Sequence, residues 1–469
     1  MSFQAAIEIG QWFFLLYFIL LNTGYLALNL LSIVNISRMM RENVSDELSQ
    51  IYSGFETPIT LLVPAYNEQT TLAASIRSLL QLSYPQYEIL VINDGSTDDT
   101  LAVLQREFSL VPFPETYRER LKTKLVRSVY HSTIFPNLRV IDKENGGKSD
   151  SLNAGINVSR YPLYCAVDAD SVLQRDSLQR VVKPFLEDPS VIACGGSVRI
   201  ANGCQISGGF LEKIGLPKSF LARVQIVEYL RAFLFGRMGW SPINAMLIIS
   251  GAFGIFKKDA VTEVGGYRTD TIGEDMELVV RLHKHYRLAG KSYKIQFVPD
   301  PICWTEAPEN LKTLRMQRTR WQRGLAESLS KNIGLLFHPK GGTVGWLAYP
   351  FMVAFEWLGP LIEVTGYVFM FLLFYFGMIS LTAFLVFLLV AIGFGLLLSM
   401  SALLLEEMSF HIYPRARHLF WLMLAAFVEN FGYRQLTAVW RLTGLVSWLF
   451  FSKGRWGTMK RKRAGEMSR

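Results

Sequence analysis

The stretch Leu163–Leu173 reads LYCAVDADSVL, an apolar run that ends in two carboxylates separated by one alanine. A short apolar run closed by a polar cluster predicts a buried β-strand. Three earlier runs have the same form, and helical patterns lie between them. These runs are Ile59 to Val63, followed by PAYNE, Ile89 to Ile92, followed by NDGSTDD, and Leu138 to Ile141, followed by DKENGGK. The alternation predicts an α/β unit with a mostly parallel, Rossmann-like sheet.

The two carboxylates, Asp168 and Asp170, follow a strand at the edge of the sheet where open α/β folds bind their ligands. Two neighbouring negative charges repel each other unless a cation stands beside them. Mg²⁺ or Mn²⁺, with coordination completed by substrate phosphate oxygens, is the usual partner of such a pair. Taken alone, the same residues also fit a solvated turn that caps a helix.

The polar clusters after the other strands contain the parts of a nucleotide diphosphate site. Tyr66, Glu68 and Asp94 lie in clusters rich in hydrogen-bond acceptors, which suit a nucleotide base. The glycine pair of NGGK is expected to expose backbone N–H groups, and Lys148 adds a positive charge at a helix start, where a pyrophosphate binds. A simple turn at Asp94 and a flexible connection at the glycines are the alternatives.

The motif GED at residues 273–275 precedes the helical pattern MELVVRLHKHY. Glu274 and Asp275 are the candidate catalytic residues. Asp275 is expected to act as a general base that accepts the proton of a sugar hydroxyl. An acidic helix cap in a favourable dipole is the alternative for this motif.

The segment QRTRW, residues 317–321, lies on a basic amphipathic helical pattern. Gln317 shares a helix face with Arg320 and Trp321, because residues three and four apart are neighbours on a helix. Arg320 suits a bidentate grip on a diphosphate, and Trp321 can stack on a sugar ring. A surface helix that contacts anionic lipid is the alternative.

The composition indicates a membrane protein. Half of the 469 residues are hydrophobic, only 19% are charged, and the net charge is +9. These values exclude a disordered chain and argue against a wholly water-soluble one. Most basic residues lie beside apolar runs, which favours a bilayer over nucleic acid as the partner. The four cysteines lack paired spacing, so neither a zinc site nor a disulfide framework is predicted, and a reducing compartment is expected.

Two apolar blocks flank the α/β region. Trp12 to Val34 is long enough for one membrane span, and Arg38 and Arg41 after it place the following chain in the cytoplasm. Val364 to Leu405 suits two spans with a turn near residues 377–382, and residues 419–451 suit an interfacial, re-entrant or hairpin element. The expected units are residues 1–40 as a membrane helix, 41–308 as the cytosolic domain, 309–345 as interface helices, 346–452 as membrane or interfacial helices, and 453–469 as a basic cytosolic tail.

Taken in order, PAYNE, NDGS, NGGK, DAD, GED and QRTRW between membrane segments resemble a processive family 2 glycosyltransferase. Relatives in this family include the cellulose, hyaluronan, chitin and poly-N-acetylglucosamine synthases. The resemblance covers residues 57–330 by motif. It implies a GT-A fold, a UDP-sugar donor, Mg²⁺ or Mn²⁺, inversion at the anomeric carbon, and extrusion of a growing polysaccharide through the chain's own membrane helices. The size and layout favour the poly-N-acetylglucosamine synthases, hence UDP-N-acetylglucosamine as donor.

The resemblance also implies roles by position. Asp275, with Glu274 beside it, is the catalytic base, and Asp170 with Asp168 binds the metal. The donor is expected to bind Tyr66, Glu68, Asp94, Lys148, Asp168 and Arg320. The acceptor is expected to bind Gln317, Trp321, Ser250 and Gly251. Two departures stand out: GED replaces the TED of many relatives, and the tail reads WGT followed by Met459 where a WGTR loop has arginine.

The expected location is the inner membrane, as a multi-pass protein with a cytoplasmic catalytic domain. The resemblance is compatible with accessory export or regulatory proteins and implies no nucleic acid partner. Two alternatives remain at this stage. One is a non-processive transferase that moves a single sugar onto a polyprenyl phosphate. The other is a catalytically silent membrane receptor or scaffold with a transferase fold.

Overall fold

The computed structural model describes residues 3–43, 56–207 and 209–450. The predicted basic tail, including the WGT motif, lies outside these ranges. The described chain consists of an α/β unit and a set of long apolar helices that flank it in sequence. The division into five units made from the sequence stays a prediction.

The strands of the α/β unit contain the four predicted apolar runs. They are β1 (Ile59–Ala65), β2 (Tyr87–Asn93), β3 (Leu110–Pro112), β4 (Val126–Ser132), β5 (Leu138–Lys143), β6 (Leu163–Val167), β7 (Val172–Leu173), β8 (Val191–Ile200), β9 (Gln205–Ser207), β10 (Phe210–Lys213), β11 (Phe253–Lys257) and β12 (Lys294–Thr305). Ten of them form a mixed sheet in the order β3-β4-β5-β2-β1-β6-β11-β8-β12-β7. The α/β fold predicted from the sequence is confirmed.

The parallel part of the sheet positions the site. Strand β1 pairs in parallel with β2 on one side and β6 on the other, and β2 pairs in parallel with β5. Their carboxyl ends therefore meet at one edge, as the sequence predicts. Strand β11 runs antiparallel between β6 and β8, so the sheet continues sideways from β6. The four parallel strands are almost wholly buried, which explains why they read as continuous apolar runs.

Helix α1 (Phe3–Asn43) precedes the α/β unit, and further helices follow the strands within it. They are α2 (Leu72–Leu79), α3 (Thr100–Glu107), α4 (Lys148–Val158), α5 (Ser177–Glu187), α6 (Phe220–Leu230), α7 (Met238–Trp240), α8 (Lys258–Glu263) and α9 (Glu274–Leu288). Helix α4 packs closely on the sheet at Gly155, where a Cβ atom would lie 2.9 Å from Leu62 and 3.1 Å from Ile92. The small residue therefore sets how closely the Lys148 helix approaches β1 and β2.

Residues 112–137, which interrupt the alternation in the sequence, build the edge of the sheet. Strand β4 lies between β3 and β5 and pairs antiparallel with both. Glu115 in the connecting segment accepts hydrogen bonds from Arg139 at 2.6 Å and Arg160 at 2.9 Å. The segment is thus fastened to the α/β unit on the side away from the carboxyl ends of the strands.

The C-terminal part of the described chain is helical. Its helices are α10 (Leu311–Lys331), α11 (Tyr349–Phe351), α12 (Gly359–Tyr375), α13 (Leu381–Leu388), α14 (Phe394–Ser409), α15 (Ala416–Val428) and α16 (Arg434–Phe450). Within the described residues, two helical stretches are long and apolar enough to cross a bilayer, Gln4–Met39 and Leu381–Ser409. A third is available if Val344–Trp357 and Gly359–Tyr375, bent by 47°, form one span. The chain turns between α12 and α13, where the sequence predicted it, and the number of crossings stays a prediction.

The apolar helices from both ends of the chain pack together through polar contacts. Asn29 of α1 donates to Ser401 of α14 at 2.9 Å, and Asn22 donates to the carbonyl oxygen of Val390 at 3.3 Å. Such buried amides need partners, because an unsatisfied polar group in an apolar environment costs several kcal/mol. Helix α1 is therefore part of the same bundle as the C-terminal helices.

Candidate functional site

One cavity of about 1800 Å³ contains all of the predicted site residues. It begins at the carboxyl ends of β1, β2 and β6 and continues between α10 and the apolar helices α1, α12 and α16. The predicted residues on its wall are Tyr66, Glu68, Asp94, Lys148, Asp168, Asp170, Ser250, Gly251, Glu274, Asp275, Gln317, Arg320 and Trp321. Motifs that are up to 255 residues apart in sequence therefore share one space.

The PAYNE loop after β1 is fixed to the loop after β2. The backbone N–H of Asn67 donates to Ser96 at 3.0 Å, and the Asn67 side chain accepts from the backbone N–H of Thr97 at 2.8 Å. Asn67 has a φ of 56°, a left-handed conformation that asparagine tolerates better than most residues. The ring of Tyr66 beside it is 44% exposed and lies on the cavity wall. The two loops thus form one rigid rim with an accessible aromatic ring.

The Asp94 carboxylate binds the backbone of the glycine turn at residues 146–147. It accepts backbone N–H groups from Gly146 at 3.0 Å and Gly147 at 2.8 Å, and it pairs with the buried Lys143 at 2.5 Å. The expectation that the glycine pair presents these N–H groups to a pyrophosphate is wrong, because Asp94 already accepts them. Gly147 has a φ of 88°, a conformation that favours glycine, and the helix α4 begins at the next residue, Lys148.

Lys148 connects three parts of the site. Its Nζ lies 2.6 Å from Asp168, 3.3 Å from the carbonyl oxygen of Gly251 and 3.6 Å from Glu274. Burial alone would lower the pKa of Lys148, but Asp168 and Glu274 together raise it above its usual value. Lys148 is therefore a fixed positive charge at the ends of β6, α4 and α9.

Asp168 and Asp170 place two carboxylates directly after the end of β6. Among the described residues, no group of three or more His, Cys, Asp or Glu side chains comes together as a metal cluster. Two carboxylates suit Mg²⁺ or Mn²⁺, because Mg²⁺ is commonly held by one or two carboxylates plus substrate phosphates. The donor set therefore fits a divalent cation that binds together with a phosphate ligand.

The GED motif and the Ser250-Gly251 loop face each other. Asp275 Oδ2 accepts the backbone N–H of Gly251 at 3.1 Å, and Oδ1 accepts that of Met276 at 2.8 Å. Both acids stand in the first turn of α9, where the helix dipole favours negative charge. Burial raises the pKa of Glu274 to about 7, although Lys148 acts in the opposite direction. Glu274 therefore changes charge near neutral pH.

Helix α10 carries the QRTRW residues to the cavity. Gln317, Arg320 and Trp321 line it, as their spacing on one helix face predicted. The guanidinium of Arg318 lies 4.4 Å from the centre of the Trp321 ring. Arg318 itself is buried and donates to Glu228 at 2.7 Å, and Glu228 also accepts from Tyr433 at 3.1 Å. This network holds the tryptophan. Arg318 belongs to QRTRW, but no motif in the sequence indicates its partners Glu228 and Tyr433.

A second set of contacts missed from the sequence joins α10 to residues 271–273, the loop before Asp275. Glu327 accepts the backbone N–H of Ile272 at 2.8 Å and the hydroxyl of Thr271 at 3.1 Å. The backbones of Gly273 and Gly324 touch, since a Cβ atom at position 273 would lie 2.8 Å from the Gly324 oxygen. This contact gives a physical reason for GED in this chain: threonine does not fit at 273 against the present α10.

Two ionisable residues of the apolar segments, Arg441 and Glu356, pair at the far end of the cavity. Arg441 pairs with Glu356 at 2.7 Å and donates to the Gln322 side chain at 2.9 Å. Gln322 in turn donates to the carbonyl oxygen of Glu356 at 2.9 Å. The residue that follows Trp321 thus links α10 to α16 and to the segment before α12.

Comparison with known proteins gives two family matches. The model described as glycosyl transferase family 2 matches residues 60–260, and that described as glycosyl transferase family group 2 matches residues 165–405, more than half of the chain. A poly-β-1,6-N-acetyl-D-glucosamine synthase of Staphylococcus aureus is 32% identical over 276 residues, 58% of this chain and 56% of that protein. Its counterpart from Staphylococcus epidermidis is 29% identical over 300 residues, 64% and 62% of the two chains. The alignments thus span less than two thirds of these curated relatives.

Among solved structures, a mannosyltransferase of Pyrobaculum calidifontis in complex with GDP-mannose and Mn²⁺ superimposes with a TM-score of 0.52. The match covers 90% of this chain and 99% of that one at 18% identity. A likeness at this level of identity concerns the fold. It agrees with the GT-A arrangement that the sheet order and the position of the cavity indicate.

Proposed function

Since the chain belongs to glycosyl transferase family group 2, we propose that it is a membrane-embedded polysaccharide synthase that uses UDP-N-acetylglucosamine. The observation that carries the proposal is the single cavity in which Asp168, Lys148, Asp275 and Trp321 stand together and which continues among the apolar helices. The donor sugar follows from the similarity to poly-β-1,6-N-acetyl-D-glucosamine synthases. Processive addition and passage of the product through the chain's own helices complete the proposal.

In the proposed reaction, Asp275 accepts the proton of the acceptor hydroxyl. The freed oxygen electron pair forms a bond to the anomeric carbon of the donor, and the carbon–oxygen bond to the diphosphate breaks. UDP leaves with that electron pair, and the new linkage has inverted configuration. Lys148 and Arg320 offer positive charge to the diphosphate, where charge grows during transfer. A divalent cation bound at Asp168 and Asp170 would add further positive charge to the leaving group.

The proposed substrate positions follow the layout of the cavity. Tyr66, Glu68 and the Asp94 loop line the end proposed for the nucleotide, at the carboxyl ends of β1 and β2. Trp321 lies with Gln317 on α10 and is the aromatic platform proposed for the acceptor sugar. Beyond it, the cavity wall includes Glu356 and Arg441, which offer polar partners to sugar hydroxyls along the proposed passage.

The test is turnover by the purified protein in lipid nanodiscs, with single UDP-sugars and Mg²⁺ or Mn²⁺. We expect UDP release and a long, N-acetylglucosamine-containing product, and release slower by at least about a hundredfold from the Asp275→Asn variant. A single sugar attached to a polyprenyl phosphate would replace the proposal with a non-processive transferase. UDP binding without turnover of any donor would replace it with a silent receptor or scaffold. Release of a long product on the far side of sealed vesicles tests extrusion separately.

A further inference from the structure

Glu363 is a carboxylate in an apolar helix, and it lies on the wall of the cavity. Its helix, α12, forms a candidate membrane span together with the bent segment before it. Oε1 of Glu363 is 3.6 Å from the position that a Cβ atom of Gly359 would take, and the hydroxyl of Tyr17 in α1 is 3.2 Å from that same position. Glu363 therefore stands where α1 and α12 meet, and it faces the cavity from there.

Glu363 differs from Glu356, the other acidic residue of this wall, because it has no polar partner. Among the described residues, no hydrogen bond or ion pair reaches the Glu363 carboxylate, and both of its oxygens remain accessible. Glu356, by contrast, pairs with Arg441 at 2.7 Å and accepts from the hydroxyl of Tyr25. Charged side chains within a bilayer are costly, and those that face a cavity mark the path of a substrate or an ion. An accessible, unpaired carboxylate in this helix therefore indicates a ligand.

The wall around Glu363 supplies an aromatic ring and a guanidinium. Tyr367, one turn further along the same face of α12, lines the cavity, and its ring centre lies 5.5 Å from that of Phe18 in α1. Arg434 of α16 lines the same cavity and donates through Nη1 to Asn430 at 3.0 Å. No described carboxylate pairs with Arg434, and its other guanidinium nitrogens remain accessible. Hydrogen-bond acceptor, donor and ring thus border one space.

Charge and hydrogen-bonding capacity together define the ligand. Two acids and two arginines are the charged residues that α12, the segment before it and α16 contribute to the described wall: Glu356, Glu363, Arg434 and Arg441. Their charges cancel, which suits an uncharged ligand, and an anion would meet Glu363 as a like charge. A carboxylate only accepts hydrogen bonds and a guanidinium only donates them, so the ligand must carry both kinds of group. Sugar hydroxyls are donors and acceptors at once.

We propose that Glu363, with Tyr367 and Arg434, forms a subsite among the apolar helices that binds one uncharged sugar unit of the product. Hydroxyl groups of the sugar donate to the Glu363 carboxylate, and a sugar oxygen accepts from Arg434. The apolar face of the sugar lies on the ring of Tyr367. The assignment rests on the proposed function and adds to it a binding position beyond Trp321. It also adds selectivity, because Glu363 disfavours a sugar that carries a carboxylate.

The test measures binding of a soluble N-acetylglucosamine disaccharide and of longer oligomers to the full chain in nanodiscs, by calorimetry and without donor. Wild type should bind the longer oligomers more tightly, because they extend from Trp321 to the subsite. For Glu363→Leu we expect the Kd of the long oligomers to rise at least about tenfold, because hydrogen bonds to a charged group are lost. The Kd values of the disaccharide and of UDP should stay within about twofold, because neither reaches Glu363.

Two further variants complete the comparison. Glu363→Gln keeps an acceptor oxygen without the charge, so it should recover part of the affinity for the long oligomers. Thr365→Val, at an exposed position of α12 outside the cavity, is the matched control and should bind every oligomer as wild type does.

Selectivity is tested with an oligomer of the same length that contains glucuronate. Wild type should bind it at least about tenfold more weakly than the uncharged oligomer, and the difference should narrow in Glu363→Gln, because the repulsion between carboxylates is removed. Tighter binding of the glucuronate oligomer by wild type would make this a site for an anion and overturn the assignment.

Three other results would also overturn it. One is equal affinity of Glu363→Leu and wild type for every oligomer, and another is no gain of affinity with oligomer length in wild type. The third is a lower Tm of Glu363→Leu with parallel loss of disaccharide and UDP binding, which would make Glu363 structural. Because binding is measured without donor, the expected loss in Glu363→Leu supports the subsite even in a chain that turns over no UDP-sugar. Turnover by wild type together with unchanged oligomer affinity in Glu363→Leu overturns the subsite alone, so the two failures are distinguishable.

Discussion

Replacing Gly273 with alanine tests whether the loop before Asp275 and helix α10 act as one rigid unit. The added Cβ atom would lie 2.8 Å from the carbonyl oxygen of Gly324 and 2.9 Å from its Cα. Ordinary contact begins at 3.4 Å, so loop and helix must separate by about 0.6 Å. The φ of Gly273 is −102°, which any residue adopts, so the expected effect is steric and not conformational.

The magnitude follows from this separation. Overpacking against backbone that cannot move aside costs about 1–3 kcal/mol. Ser328 of α10 donates to the carbonyl oxygen of Gly273 at 3.1 Å. This hydrogen bond holds the loop against the helix and opposes the movement that would remove the clash. A misplacement of about 1 Å can cost roughly a hundredfold in rate, so a shift of about 0.6 Å between Asp275 and Trp321 predicts a loss of roughly tenfold in kcat. UDP affinity should not change, because Tyr66 and Asp94 follow other strands.

The assay measures kcat at saturating donor, the Kd for UDP by calorimetry, and Tm. Gly334→Ala is the matched control, because its Cβ atom meets only the flexible Lys284 amine, at 3.8 Å. We expect wild-type behaviour from the control, and lower kcat and Tm from Gly273→Ala. Wild-type kcat and Tm in Gly273→Ala would refute the reasoning, since the base and the QRTRW helix would then tolerate separation.

Three further predictions concern charged residues of the site. Asp275→Asn keeps an acceptor for the Gly251 N–H but loses the base, so kcat should fall by roughly 10²–10⁴ while calorimetry shows unchanged UDP affinity. Lys148→Met removes the cation beside Asp168 and should raise the Kd for UDP at least tenfold, whereas Lys312→Met, at an exposed position of α10, should leave it unchanged. Glu274 has its pKa raised from 4.5 to about 7, so it gains its negative charge between pH 6 and 8 rather than in acid. UDP affinity of wild type relative to Glu274→Gln should therefore fall by roughly tenfold over that interval, and a constant ratio in pH-dependent titrations would contradict this.

The parallel strands at the centre of the sheet could be predicted from the sequence, because each one is a continuous apolar run that can be recognised without knowing its neighbours. Strand β6 begins at Leu163 and ends at Val167, as its apolar run indicated, and β1, β2 and β5 contain the other three runs. Strands buried on both faces read as continuous apolar runs, and parallel strands place their carboxyl ends together. The meeting of Asp168 with Asp94 and Lys148 at one edge follows from these two facts.

The role of Asp94 could not be predicted in the same way. The sequence indicates an acidic turn at Asp94 and a glycine turn that begins 52 residues later at Gly146, and each alone is compatible with solvent or with a ligand. The structure pairs the two turns, so the N–H groups of Gly146 and Gly147 satisfy a carboxylate of the protein. Whether a backbone donor serves the fold or a substrate depends on which turn packs against it, and that is a tertiary property.

Helix α10 shows why the same limit applies to the rest of the site. Its spacing predicted that Gln317, Arg320 and Trp321 share a face, but not what lies on its other faces. One of these contacts the loop before Asp275 through Gly324, and another contacts Glu356 and Arg441 through Gln322. A displacement of α10 therefore changes the distance from Trp321 to Asp275 and the contacts at the entrance to the apolar helices together. In the proposed synthase, the step that forms the linkage and the path of the product are thus mechanically connected through one helix.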